Sequence, residues 1–190
     1  MILGVDHVGL ATAEPARAGE QLAALGMVRT DHGHADAYGV ACEFWTLPGD
    51  RAGTAVELVS PTRAGSAVDG RLAGQGPGLY HLALVVDDLA GETARLRRSG
   101  FLALDAEPCR GARPGMSVAF LYLPEPAELL VELVHYAPPA PPRPAEAGRA
   151  RPVPVHPPPP HGLHTLGRTC PPTRPPPLPR RPASSAVVTT

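Results

Sequence analysis

Asp6-His7-Val8-Gly9-Leu10-Ala11 has a counterpart later in the chain, Tyr80-His81-Leu82-Ala83-Leu84-Val85. Both are alternating runs of the kind that form strands. Each leads into a helical pattern that stops at a glycine: Ala16 to Leu25 before Gly26, and Leu89 to Arg98 before Gly100. Pro15 suits a first helical turn, Asp87 and Asp88 a helix start, and Arg97 and Arg98 a last turn. Three strand-like runs follow each helix. In the first half they are Met27 to Thr30, Val40 to Leu47 and Thr54 to Val59; in the second, Phe101 to Leu104, Ser117 to Leu123 and Leu129 to Val134. Turn residues such as Pro48-Gly49-Asp50 and Pro114-Gly115 separate them. Both halves close on one tetrapeptide, Val56-Glu57-Leu58-Val59 and Val131-Glu132-Leu133-Val134. The unit is therefore βαβββ, present twice, which makes this an α+β chain with modules at about residues 3–60 and 79–136. Gly-rich residues 61–78 link them.

Outward from these modules the composition changes. The chain has 190 residues and a net charge of −1, with no lysine and no asparagine. Residues 138–190 hold 18 of the 26 prolines, seven arginines and a single acid, Glu146. With few large apolar groups, that stretch cannot bury enough surface to offset its ordering entropy, so it reads as a disordered Pro/Arg-rich tail. Residues 1–137 read as one domain carrying a formal charge of −7. An acidic folded part argues against nucleic acid as a partner. No apolar run is long enough for a membrane span, and Met1 to His7 shows no signal-peptide core, so the expected location is cytoplasmic. Cys42, Cys109 and Cys170 form no metal-type cluster.

The repeat also puts one His and one Glu at matching places in each half. His7 and Glu57 are 50 residues apart, and His81 and Glu132 are 51 apart. Strand period two sets Glu57 on the face opposite Val56 and Leu58, and Glu132 opposite Val131 and Leu133. A carboxylate in an apolar strand is costly to bury unless it is paired or holds a metal. Taken singly, each residue has a plainer role, as a packed histidine or as a solvent-facing carboxylate of a one-sided sheet. Together, at matched spacing and under pseudo-twofold packing, they form an imidazole and carboxylate set suited to a divalent first-row metal with open positions. His32 and His34 fall in a Gly/Asp-rich turn, His135 follows a last strand, and His156, His161 and His164 lie in the tail. None of these shares the pattern.

These residues resemble the vicinal oxygen chelate superfamily, and within it the methylmalonyl-CoA epimerases. The resemblance rests on the order and spacing of the two opening motifs together with Glu57-Leu58-Val59-Ser60-Pro61, Val86-Asp87-Asp88-Leu89, Glu107-Pro108, Val118-Ala119-Phe120-Leu121 and Leu130-Val131-Glu132-Leu133. It covers roughly residues 3–136. It implies two modules curved into a cupped, incomplete mixed barrel around a divalent ion, with His7, Glu57, His81 and Glu132 as ligands. Cobalt is the first expectation for the ion, then zinc, nickel, manganese or iron. It further implies an acyl-CoA substrate, interconversion of (2R)- and (2S)-methylmalonyl-CoA, and pairing of module edges into a homodimer.

Such a reaction removes a weakly acidic proton alpha to a thioester and returns it on the other face. Two carboxylates can do this while the enolate is stabilised by a Lewis acid. Glu132 is one candidate. Glu43, in the strand Val40 to Leu47, is the other, although counting from Gly39-Val40 puts Cys42 at that place, and a slip of one residue reverses the face. The chain departs from the family in having Tyr80 before His81 where relatives have His. It also has Tyr122-Leu123-Pro124 where they have His-Pro-Lys, and the loop Gly111 to Ser117 is one residue longer. These departures bear on the substrate rather than on the metal. Ser66 matches a family position in the segment between the modules, and no role beyond contact with substrate is expected of it. The competing functions are a glyoxalase-type isomerase, a ring-cleaving dioxygenase, and a non-catalytic small-molecule-binding protein on the same scaffold.

Overall fold

The computed structural model describes residues 1–49 and 53–137. The disordered tail expected for 138–190 lies outside the described residues. Nine strands and three helices follow in the order β1 (Ile2–Ala11), α1 (Pro15–Ala24), β2 (Val28–Ala35), β3 (Val40–Thr46), β4 (Ala55–Pro61), α2 (Asp69–Gln75), β5 (Gly78–Val86), α3 (Leu89–Arg98), β6 (Leu102–Ala103), β7 (Cys109–Arg110), β8 (Met116–Leu123) and β9 (Leu129–Tyr136). Local chemistry sets the helix ends. Pro15 opens α1, and the Asp88 carboxylate accepts the Gly91 N–H at 3.0 Å to cap α3. Gly26 (φ 85°) and Gly100 (φ 93°) take the left-handed turn after each helix that a side chain would strain.

One mixed sheet runs β2-β3-β4-β1-β5-β9-β8-β6, with β7 added on β8. Each module therefore has the same internal order, with its first strand beside its last in parallel. The two first strands, β1 and β5, join the modules antiparallel, with Gly9 opposite His81 and His7 opposite Ala83. The sheet is open, yet its arms approach each other. A Cβ placed on Gly33 of β2 would stand 1.9 Å from the Ala112 carbonyl oxygen of the β7–β8 loop. Tyr38, in the β2–β3 turn, donates its hydroxyl to Asp105 at 2.9 Å. This is the expected cup.

Side chains alternate between the two faces. The convex face of module two buries Leu121, Val131 and Leu133 under Leu89 and Leu96 of α3. In module one, Trp45 lies against Gly19 of α1. The concave face carries Phe44, Cys42, Val59 and Ala55 from module one and Ala83, Val118 and Val134 from module two. With both faces covered, β9 reads as a nearly continuous buried run, Leu130 to Val134.

Three elements differ from expectation. β2 continues through His32 and His34 to Ala35, so those histidines are on a strand and exposed, not in a turn. The linker contains α2, and module two gains the two-residue β7. No helix among the described residues is long and apolar enough to cross a membrane.

Candidate metal centre

Strand register brings four side chains to the floor of the cup. His7 is on β1 and His81 on β5; Glu57, on β4, pairs with Gly9 of β1, and Glu132, on β9, pairs with Ala83 of β5. One donor atom from each of His7, Glu57, His81 and Glu132 lies within 4.8 Å of all the others. The His7 and His81 Nε2 atoms are 3.0 Å apart. Glu132 Oε2 is 3.1 Å from His7 Nε2 and 2.9 Å from His81 Nε2, and Glu57 Oε2 is 3.2 Å from each. All four residues are buried, none more than 5% exposed. Gly9 makes room for this. A Cβ there would sit 2.3 Å from Cε1 of the His81 ring.

Burial disfavours charge on an imidazole, but Asp6, Glu132 and Glu57 outweigh it and push His7 up to about 12. Burial lowers His81 too, and Glu132 and Glu57 overcome it to bring the group to about 8. Burial would raise both glutamates. Instead, His7 and His81 hold Glu57 far below the usual carboxylate range, and His81 and His7 hold Glu132 below it. The cluster is thus two ionised carboxylates that draw positive charge onto two imidazoles. The chain has no lysine to serve them. Two neutral imidazoles and two carboxylates are hard-to-borderline donors whose spacing of about 3 Å matches ligands sharing an ion at about 2.1 Å. The residues present fit a divalent cation.

His7 is oriented from behind. Its Nδ1–H donates to Asp6 Oδ2 at 2.7 Å, which directs Nε2 at the cluster, where its lone pair becomes available to an ion once the Nε2 proton is displaced. Arg113 Nη1 and the Tyr136 hydroxyl also donate to Asp6 Oδ2, each at 3.2 Å. His81 Nδ1, in contrast, is buried with no hydrogen-bond partner among the described residues. Its ring is held edge-on by Tyr80 at 5.3 Å and Phe120 at 5.5 Å.

Glu43 is not brought to this cluster. Phe44 stands opposite Glu57 across β3 and β4, so Glu43, one residue earlier, points to the other face of the sheet. There it accepts from Arg29 Nη1 at 3.1 Å and from Trp45 Nε1 at 3.3 Å. Glu43, expected as a second catalytic carboxylate, therefore lies apart from the four-residue cluster. Cys42 takes the inward place, as a free, buried thiol on the face that carries Glu57. Burial and the Glu57 charge push that thiol up, so it stays protonated and is no nucleophile. Ser66 gives its hydroxyl to Asp69 at 2.5 Å, at the start of α2. Asp6, Arg113, Tyr136 and Phe44 escaped the reading of the sequence. Only Asp6, beside His7, left a local sign.

A duplicated βαβββ sheet folded around a two-His, two-Glu cluster defines a class of metal-chelating cup proteins. The chain belongs to the Glyoxalase/Bleomycin resistance protein/Dioxygenase superfamily, whose family model matches residues 6–120. Among solved structures it is similar to methylmalonyl-CoA epimerase from Mycobacterium tuberculosis, at 30% identity over 72% of this chain and 90% of that one, with a TM-score of 0.65. It is similar to a variant of Streptomyces coelicolor methylmalonyl-CoA epimerase in complex with 2-nitronate-propionyl-CoA, at 28% identity over 73% of this chain and 100% of that one, TM-score 0.65. A methylmalonyl-CoA epimerase in complex with methylmalonyl-CoA and NH4+ matches at 28% identity over 72% of this chain and 96% of that one, TM-score 0.65. Comparison with curated proteins gives no significant match.

Proposed function

We propose that residues 1–137 form a divalent-metal-dependent epimerase acting at C2 of methylmalonyl-CoA or a related acyl-CoA thioester. The observation that carries this is the convergence of His7, Glu57, His81 and Glu132 in one buried cluster. Similarity to methylmalonyl-CoA epimerases supports the substrate class. These four residues would hold the ion; cobalt is the first choice, with zinc, nickel, manganese and iron as alternatives. When bound, the ion supplies Lewis-acid stabilisation of the enolate.

The chain's own groups move the proton. Glu132 is the proposed base. Because Glu43 lies on the convex face, the second carboxylate is Glu57, which comes from the other module. Glu132 is held ionised, the state in which a carboxylate accepts the C2 proton; return on the opposite face requires Glu57 to enter the step carrying a proton taken from solvent, and the two protonation states exchange in the reverse reaction. Burial of all four side chains keeps bulk water from quenching an enolate. The position of Glu43 also favours a second reading, a glyoxalase-type isomerisation, in which a proton passes between neighbouring carbons on one face and one carboxylate suffices.

The test is incubation of the cobalt-loaded protein with (2R)-methylmalonyl-CoA in deuterated water. Deuterium entering C2 with formation of the 2S isomer is the expected result. No exchange by a loaded protein removes the epimerase. Turnover of an α-ketoaldehyde–thiol adduct by the same preparation would then select the isomerase.

A further inference from the structure

We propose that Arg113 is a positioning residue for the metal centre, acting through Asp6 on His7. This rests on metal binding by the four-residue cluster. Arg113 belongs to module two, in the loop between β7 and β8, whereas His7 belongs to module one. The loop is held in shape at its base. The Gly111 N–H donates to the Met116 carbonyl at 2.9 Å, and the Met116 N–H to the Arg113 carbonyl at 3.2 Å. Its Ala112 carbonyl is seated on Gly33, where any side chain would collide. Arg113 is thereby presented inward, and its side chain is only 16% exposed.

Two routes lead from its guanidinium to His7. In the first, Nη1 donates to Asp6 Oδ2 at 3.2 Å and to the Tyr136 hydroxyl at 3.0 Å, and that hydroxyl donates to the same Asp6 oxygen. Asp6 Oδ2 thus receives Arg113, Tyr136 and the His7 Nδ1–H together. An 11%-exposed carboxylate with such donors is pinned; without Arg113 its charge is poorly compensated and it is free to turn towards solvent. The His7 ring would then lose the partner that fixes its tautomer. In the second route, the guanidinium lies 3.6 Å from the centroid of Phe44, and Phe44 meets the His7 ring edge-on at 5.4 Å. One side chain from module two therefore supports both the hydrogen-bonded edge and a packed side of the module-one ligand. Asp31, 3.6 Å from Arg113 Nε, closes the arrangement on β2.

The experiment is a double-mutant cycle in the full chain with Arg113→Met, Asp6→Asn and the pair. Cobalt(II) affinity is read by chelator competition, and ligand geometry by the visible spectrum of the bound ion. Arg113→Met should weaken cobalt binding roughly 10- to 100-fold, the range for partners that orient a metal-bound histidine, and shift the spectrum. In the Asp6→Asn background the same change should cost clearly less than it does alone, because the route through Asp6 is already cut and only the contact through Phe44 remains to be lost. Arg113→Lys, which keeps the charge but not the planar fork, should recover part of the affinity; it carries the same cycle if the Met variant does not fold. Wild-type affinity in folded Arg113→Met, or losses that simply add in the double variant, would overturn the proposal. If wild type itself binds no cobalt, metal binding falls and this role falls with it; if wild type binds and Arg113→Met binds equally, only the positioning role is lost.

Discussion

The two modules offer the same pair of proposed ligands, one His and one Glu each, and support the histidines by different physics. In module one, Asp6 precedes His7 and holds its Nδ1–H at 2.7 Å, inside a network with Arg113 and Tyr136. In module two, Tyr80 precedes His81, whose Nδ1 has no hydrogen-bond partner among the described residues; the ring is fixed by Tyr80, Phe120 and the bare α-carbon of Gly9. One imidazole is oriented by charge and the other by shape. Duplication thus preserved the ligand and its strand, while the means of aiming it diverged. The charged support for module one crosses over from module two, so neither module makes the site alone.

That contrast can be broken at several points. The largest effect is expected from Glu132→Ala. It removes a ligand atom 2.9 Å from His81 Nε2 and leaves two imidazoles with a single carboxylate. Metal affinity should fall by more than the roughly 100-fold limit for an outer partner, and proton exchange with it. Gly9→Ala attacks the shape support alone. Its Cβ would meet the buried His81 ring at 2.3 Å, with nowhere for that ring to retreat. A loss of about 1–3 kcal/mol in unfolding free energy is expected, together with weakened metal binding. Chemical denaturation with and without cobalt measures both.

Asp6→Asn and Tyr80→Phe compare the two supports directly. The first should weaken metal binding roughly 10- to 100-fold. The second keeps the ring that packs on His81 and loses only the hydroxyl that donates to the Ala67 carbonyl at 3.3 Å, so affinity should change less than about threefold. Equal losses in both would erase the distinction.

The pH dependence of the metal-free protein follows from the same groups. A histidine raised above its unfolded value near 6.5 adds stability that is full below that value and lost as pH climbs through the folded one, about 8 for His81 and about 12 for His7. A carboxylate lowered below 4.5 adds stability present above 4.5 and lost as pH falls, which applies to Glu57 and Glu132. From these groups the metal-free protein should be most stable between about pH 4.5 and 6.5, should lose stability most steeply from about pH 6.5 to 8 as both histidines contribute, and should go on losing it towards about pH 12 through His7. Added cobalt, which competes with protons for the imidazoles, should stabilise more across that same rise. Thermal melts at a series of pH values, with and without cobalt, give the two curves. The smallest effect is expected from Glu43→Gln, which loses only a partly exposed pair with Arg29 on the convex face. Its cost should stay within about 1 kcal/mol, with cobalt affinity unchanged.

Much of this was legible in the sequence because duplication made it so. His7 and Glu57, repeated as His81 and Glu132, announce both the module and the ligands. The alternation of β1, β5 and β9 and the glycines after α1 and α3 mark the elements. Other features were hidden for physical reasons. α2 contains Gly70 and Gly74, which disfavour helix; it exists because Asp69 fixes the preceding turn by accepting the Gly65 and Ser66 N–H groups and because Val68 and Leu72 pack on the module-one core. Glu43 and Cys42 differ by one position in a strand whose ends sequence could not fix, and one position is a whole face. Arg113 lies 107 residues from Asp6, and no spacing rule connects a loop to a strand that far away.

The claim that two modules share a single ion is tested most directly by calorimetric titration of the metal-free full chain with cobalt(II), with proton release recorded in buffers of different ionisation enthalpy. One ion per chain is expected, with protons released on uptake near pH 7 as His7 and His81 give theirs up. No saturable binding, or two independent ions per chain, one for each module, would contradict it.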